Sequence, residues 1–148
     1  VINLSKILFG VVVFAYFLQR KGFKNWIVCL LSLMYFSFGG CWILSVYPTY
    51  FSLYFYLPLS LLVIDYYVKG KKWLLPLYSL ALVLYNFYNA YTLFIFMVFV
   101  YVVIKIRDDY STFKKFFIDV IKFGLHIVLG VIMGLALFVP SFLYILKF

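Results

Sequence analysis

Every basic cluster in this chain falls between alternate hydrophobic blocks, and the blocks in between reverse without charge. Arg20, Lys21 and Lys24 follow the first block, and Lys69, Lys71 and Lys72 follow the third. Lys105, Arg107, Lys114, Lys115 and Lys122 follow or lead out of the fifth. The turns after the second block (46–52) and the fourth (Asn86 to Asn89) hold no Lys, Arg, Asp or Glu. Short loops of alternating charge are the positive-inside pattern of a polytopic membrane protein. All of the thirteen basic residues except Lys6 and Lys147 then share one side. The pattern predicts a chain that starts outside, crosses about six times and ends outside.

Composition agrees. A chain that is 68% hydrophobic and 11% charged is not an ordinary soluble domain. The net charge of +9 does not indicate nucleic acid. The charge sits in short loops beside spans, where it sets orientation and meets anionic lipid headgroups. The first block has no small-residue cleavage site behind it, so it does not read as a signal peptide. The chain begins with Val, and we expect it to be an internal piece of a longer protein, forming a single transmembrane domain over residues 1–148.

The fold class expected is all-α: a polytopic transmembrane bundle of about six spans with a short inner interfacial helix. The spans run roughly over Ile2 to Leu18, Trp26 to Leu44, Phe51 to Val68, Trp73 to Tyr85, Ala90 to Ile106 and Phe123 to Val139. Gly39-Gly40 permits close packing or a break in the second span. Pro48 stops any helix in the outer turn, and Pro58 predicts a kink in the third. The fourth span gives only about 20 Å of helix against a hydrocarbon core of ~30 Å. The Asn86-Phe87-Tyr88-Asn89 turn therefore belongs below the outer lipid surface, where amides must face protein or a wet cavity. Phe113, Phe116, Phe117 and Val120 recur at helical spacing with Lys114, Lys115, Asp119 and Lys122 opposite, which suits a helix lying in the inner interface. Pro140 marks the outer end of the last span or a kink.

The outer side carries the candidate site. Tyr47, Tyr50 and Tyr54 cluster at one outer turn; Tyr85, Tyr88 and Tyr91 cluster at the other, beside Asn86 and Asn89. Aromatic faces stack on apolar C–H surfaces and amides offer paired donors and acceptors, as a sugar or lipid-linked head group requires. The plainer reading is an aromatic belt with amides capping helix ends. Lys6, near the outer end of the first span, either meets a lipid phosphate or snorkels to the interface. His126 has no nearby Cys, Asp or Glu in sequence and reads as a packing or hydrogen-bonding residue rather than a metal ligand. Cys29 and Cys41 lie about 18 Å apart on one expected helix and cannot pair there. Gly130 and Gly134 form a small-xxx-small pair for close helix approach. The four acidic residues, Asp65, Asp108, Asp109 and Asp119, all map to the inner side, so an outer-face general base has no candidate. No nucleophile-elbow, phosphate-loop, metal or haem motif occurs.

Several runs resemble the YfhO family of bacterial membrane proteins. They are Phe38-Gly39-Gly40-x-Trp42 before the turn with Pro48, and Leu57-Pro58-Leu59-Ser60-Leu61-Leu62 with Asp65 before the inner loop. Asn86-Phe87-Tyr88-x-x-Tyr91 follows, and the endings Arg20-Lys21-Gly22-Phe23 and Phe138-Val139-Pro140-Ser141 are similar too. The family resembles GT-C type glycosyltransferases. The resemblance implies transfer of a sugar from a polyprenyl-phosphate carrier to a cell-envelope polymer, teichoic or lipoteichoic acid, on the outer face of the bacterial plasma membrane. It implies no cofactor in this chain beyond that donor, and it puts the catalytic Asp in an outer loop upstream of Val1. Membrane lipid, the donor, the acceptor polymer and further helices of the same protein are the partners implied. A lipid-linked glycan transporter or flippase, or a non-catalytic structural subunit, is the alternative. A flippase calls for polar residues along several spans, and only Asn86, Asn89 and His126 stand out here.

Overall fold

The computed structural model describes residues 2–37, 51–108 and 112–147, and these are helical with no strand among them. Five helices follow in order: α1 (Ile2–Arg20), α2 (Asn25–Tyr35), α3 (Phe51–Val68), α4 (Leu74–Asp108) and α5 (Phe113–Leu146). Asn89–Asp108 and Phe113–Leu146 are long and apolar enough to cross a membrane; Asn25–Tyr35, Phe55–Val68 and Leu74–Tyr85 are shorter apolar helices. The chain packs as two units, residues Val1–Leu62 and Val63–Phe148.

Two of the charged turns close in the same way. Phe23 N–H donates to Leu18 O at 3.3 Å and Gly22 N–H to Gln19 O at 2.9 Å. Lys71 N–H donates to Tyr66 O and Gly70 N–H to Tyr67 O, both at 3.0 Å. Each is a Schellman closure, which needs a left-handed residue just past the helix. Gly22 (φ 82°) and Gly70 (φ 99°) supply it, because only glycine takes that conformation without a Cβ penalty. The basic residues flanking these glycines are thereby held at helix ends, where the charge pattern requires them.

In the first unit α1 packs on α2. Ile7, Val13, Leu18 and Val28 are buried. Phe14 stacks on Tyr35 with ring centroids 4.7 Å apart, and Phe9 meets Phe55 at 5.1 Å.

In the second unit α4 and α5 make the main contact. The helical run of α4 is unbroken from Leu74 to Asp108, yet it does not run in one direction. A side chain at Gly130 would press on Ser79, and one at Gly134 on Val83; four steps forward on α4 match four forward on α5, so this arm is parallel to α5. Tyr101 stacks on Phe123 at 4.2 Å, and Lys105 Nζ lies 3.4 Å from Asp119 Oδ2; four steps forward now match four back, so this arm is antiparallel. On a straight helix Ser79 and Tyr101 would stand about 33 Å apart. Their partners on α5, Gly130 and Phe123, are only about 10 Å apart along the axis. The chain therefore reverses between Val83 and the start of the second arm, which is where the Asn86–Asn89 segment lies. The expected reversal is present, but as a corner within helical residues rather than an open turn.

Two expectations are corrected. The short inner interfacial helix and the last span are one helix, Phe113–Leu146, because the run after Lys122 is apolar and holds no breaker. That helix also continues past Pro140, which excludes Pro140 as its outer end and leaves the kink. Pro58 likewise lies inside α3, buried, without interrupting it. Membrane helices accommodate proline because neighbouring helices, Ser/Thr side chains and local adjustments satisfy the carbonyl it releases. The second span is described only to residue 37, with a π-turn at 36–37. Gly39, Gly40 and Pro48 lie outside the described residues.

The surface has the polarity of a lipid-facing molecule. On α4, Ile95 is 68% exposed and Phe99 67%. On α5, Leu125, Leu129 and Ile132 are exposed while Phe123, Ile127, Gly130 and Gly134 face inward. Apolar surface this extensive is untenable in water and ordinary against hydrocarbon.

Candidate functional site

The second unit has two unlike ends. At one, Tyr67, Tyr101 and Phe123 are buried together, with Tyr67 edge-on to Phe123 at 5.0 Å and to Tyr101 at 5.7 Å. Aromatic pairs in edge-to-face and offset-stacked geometry add about 0.5–1.5 kcal/mol each beyond the area they bury. His126 joins the cluster edge-on to Tyr67 at 5.5 Å. Its Nδ1 lies 2.6 Å from Lys122 O and 3.4 Å from the Tyr67 hydroxyl. A carbonyl oxygen only accepts, so Nδ1 carries the proton. The hydrogen-bonding role expected for His126 is what the geometry shows, and no metal-holding group of His, Cys, Asp or Glu occurs among the described residues.

One helical turn beyond the aromatic cluster comes the charge. Lys105 pairs with Asp119. Lys69 Nζ lies 3.0 Å from Asp65 Oδ2, a carboxylate only 3% exposed. Arg107 Nε donates to Asp108 Oδ1 at 2.6 Å, and this bond with its charge raises the Arg107 pKa above its ordinary value. Each described carboxylate thus faces a cation at the basic end of the unit. None is placed to act at the other end. Asp109 lies outside the described residues.

The other end is set by the reversal of α4. Asp119 marks one water boundary on α5, and Leu146 lies 27 residues further on. At 1.5 Å per residue that is about 40 Å, close to a whole bilayer with its headgroups. The corner of α4 lies level with Gly134 and the residues just after it, since Val83 meets Gly134. Helix α5 then runs on for about 18 Å beyond Gly134. Residues 135–140 and 142–146 are exposed on every face. The hairpin of α4 is therefore too short to reach the level of Leu146, and its corner sits well below it.

Of the sequence-derived site residues, Asn89 lies at this corner and is buried, 8% exposed. Its neighbours Tyr85, Phe87 and Tyr91 are exposed. The backbone at Asn86 and Tyr88 is helical, and their side chains lie outside the described residues. Tyr47 and Tyr50 also lie outside them, as does Tyr54's side chain. Lys6 is half-buried in the first turns of α1, in the other unit.

The family model of the bacterial membrane protein YfhO matches residues 1–147. The chain belongs to the YfhO family. No curated protein and no solved structure matches it. As a YfhO-family chain it is a bacterial membrane protein, which accounts for the apolar exterior and for the polar groups being gathered at helix ends.

Sequence reasoning did not find the Lys105–Asp119 pair or the Tyr67–Tyr101–Phe123 cluster. The residues in each come from different helices, and periodicity within one helix carries no information on partners across a bundle. The cluster's one signal was three aromatic residues, each within a few positions of a basic loop.

Proposed function

We propose that this YfhO-family chain is the scaffold portion of a membrane glycosyltransferase that moves a sugar from a polyprenyl-phosphate carrier to a cell-envelope polymer at the outer membrane face. The observation that carries the reading is the submerged corner of α4. It supports a level below the outer lipid surface for the Asn86–Asn89 segment, with Asn89 buried there beside exposed turns of α5. In this reading a polar head group held at that level meets the amides and tyrosines of the segment. Tyr47, Tyr50 and Lys6 are further contacts in this proposal, with Lys6 suited to the carrier phosphate. The reading also includes six crossings, with the basic loops inside and both ends of the chain outside. In this proposal the catalytic acid or base is not one of the described carboxylates, which all pair with cations at the basic end.

The test is Asn86→Ala in the intact protein, with sugar transfer and folded yield measured together. An unpaired buried amide costs roughly 1–3 kcal/mol, so an amide that serves ligand differs from one that caps a helix. Transfer should fall more than yield, while Tyr16→Phe, at the basic-loop end of α1, changes neither. Equal loss of transfer and yield would make Asn86 a helix-end cap and end the cavity reading. The flippase alternative calls for lipid-linked sugar to cross vesicles that contain the protein and no acceptor. No described feature favours it, since the described charged groups of the second unit lie at its ends and not along its length.

A further inference from the structure

A shallow groove of about 380 Å³ runs along the outward face of α5, bordered by Leu125, His126, Leu129 and Ile132. Lys122 stands at its mouth. Lys122, Leu125, His126 and Leu129 are spaced i, i+3, i+4 and i+7, which sets them on one side of a helix. Lys122, Leu125 and Leu129 are exposed there, while Phe123, Ile127 and Gly130 face inward. The carboxylate nearest to Lys122 along the helix is Asp119, and Lys105 takes it. Lys122 itself makes no ion pair among the described residues. Between Asp65 and Lys122 eight basic residues stand against four acidic ones. Ion pairs within this unit therefore leave its basic end positive.

His126 adds an acceptor to this cation. Its Nδ1 proton goes to Lys122 O at 2.6 Å, which leaves a lone pair on Nε2. Nε2 makes no hydrogen bond among the described residues, and it is not among their buried unpartnered atoms. The half-buried ring borders the groove, so a ligand there can reach it. Depth then orders the groups. Lys122 stands about 4.5 Å inside the boundary at Asp119, within the ~5–8 Å head-group layer. The bond to Lys122 O draws the imidazole back toward that level. Leu125 to Ile132 lie about 9–20 Å inside, at the level of acyl chains. A cation and an acceptor at head-group level, above an apolar groove, match a phospholipid whose phosphate carries a hydroxyl-bearing head group. A phosphate diester is negative but has no proton to give, so the donor for Nε2 comes from the group beyond the phosphate.

We propose that the outward face of α5 binds one phosphatidylglycerol-type lipid, with its phosphate on Lys122, a head-group hydroxyl donating to His126 Nε2 and an acyl chain along Leu125–Ile132. The inference rests on the chain being a membrane protein and not on its being a glycosyltransferase. The bound lipid lies at the basic end of α5, whereas the donor site proposed above lies at the corner of α4, near the other end of the same unit.

Native mass spectrometry of the intact protein, extracted in mild detergent and titrated with three lipids, tests it. The lipids are phosphatidylglycerol, phosphatidylmethanol (the same single charge without a hydroxyl) and phosphatidylcholine. Phosphatidylglycerol should bind more tightly than phosphatidylmethanol by roughly threefold to tenfold, the net worth of one hydrogen bond. Phosphatidylmethanol should exceed phosphatidylcholine by about fivefold or more, the attraction of one lysine for an anionic head group. Lys122→Gln should lower both anionic lipids by about fivefold relative to phosphatidylcholine. His126→Phe keeps a ring against Tyr67 and removes the acceptor. It should erase the preference for phosphatidylglycerol over phosphatidylmethanol and keep that for phosphatidylmethanol over phosphatidylcholine, which also shows the site still folded. Lys72→Gln, exposed in another basic loop, should change neither preference. Equal effects of Lys72→Gln and Lys122→Gln would reduce the site to diffuse attraction by the basic end and overturn the proposal. So would equal binding of the two anionic lipids, or a hydroxyl preference that survives His126→Phe. Lipid binding indifferent to Lys122→Gln would mean that another helix of the protein covers this face, and the proposal would fail.

Discussion

Replacing Gly130 by alanine should destabilise the second unit, and the sign is set by what stands opposite. A Cβ on Gly130 would come within 2.6 Å of Ser79 Cβ and 3.1 Å of Leu80 N, and it would also press on Pro76 O. Two of these three atoms are backbone, so no rotamer change relieves the contact. Carbon atoms pack best at about 3.5–4.0 Å, so the first arm of α4 has to move away by roughly 1 Å. A gap of that size forfeits a quarter to a half of each dispersion contact along the seam. The expected cost is about 1–3 kcal/mol, the range for overpacking. Gly124 is the control on the same helix, since a Cβ there meets nothing within 4 Å. Gly124→Ala should be neutral or stabilising by up to ~1 kcal/mol from helix propensity. Gly134→Ala falls between them, as it meets the Val83 side chain at 2.8 Å, and β-branched side chains have little χ1 freedom in a helix. Unfolding of the intact protein in dodecyl maltoside with rising SDS mole fraction, followed by tryptophan fluorescence, gives the ranking. Should Gly130→Ala and Gly124→Ala unfold together, the two helices do not meet where described.

Further outcomes follow from the same geometry. The reversal of α4 predicts that Val83→Cys with Gly134→Cys forms a disulfide within one molecule and that, in a separate variant, Lys105→Cys with Asp119→Cys is bridged by a short bifunctional thiol cross-linker; a straight α4 permits one at most. Tyr67→Ala should cost about 3–5 kcal/mol, as for removal of a core aromatic ring, while Tyr67→Phe should cost under about 1.5 kcal/mol because its hydroxyl contact to His126 is long; similar losses in the same unfolding assay would move the weight from the ring to the hydroxyl. The proposed topology puts Lys71 inside, so Lys71→Cys should resist an impermeant thiol reagent in intact cells and react after lysis.

The charge pattern made much of the fold legible. It marked the helix ends at Arg20 and Val68, because a glycine and several lysines together end a helix and anchor it at an interface. It also marked the reversal after Tyr85, where charge is absent and the flanking apolar runs are too short for a straight crossing. It did not show that the reversal would keep helical backbone. Nothing in Asn86-Phe87-Tyr88-Asn89 forces a break, since none of the four is Gly or Pro. The separate interfacial helix was a misreading of period for boundary. Amphipathic spacing from Phe113 to Val120 gives way to an all-round apolar run at Phe123, a change of environment along one continuous helix. The burial of Asn89 was legible from depth alone. The pairing of each carboxylate was not, because Lys105 and Asp119 belong to different helices.

The two ends of the second unit divide the work of a membrane protein unequally. At the basic end, stacked aromatic rings, three ion pairs and a Gly70 closure leave little freedom. Near the α4 corner the close packing stops at Gly134, and residues 135–140 and 142–146 of α5 are exposed. At the first end the buried Asp65 would lose its cation if a ligand displaced Lys69, which is costly for a buried charge, whereas the exposed Arg107–Asp108 pair is worth little. Entry near the corner displaces only lipid from exposed Leu, Phe and Val side chains, which costs little because lipid tails are as apolar as those side chains. Ligand access is thus cheaper on the side that lacks carboxylates. In the transferase reading proposed above, the acid or base is brought to the corner by another segment, since each described carboxylate pairs with a cation at the basic end.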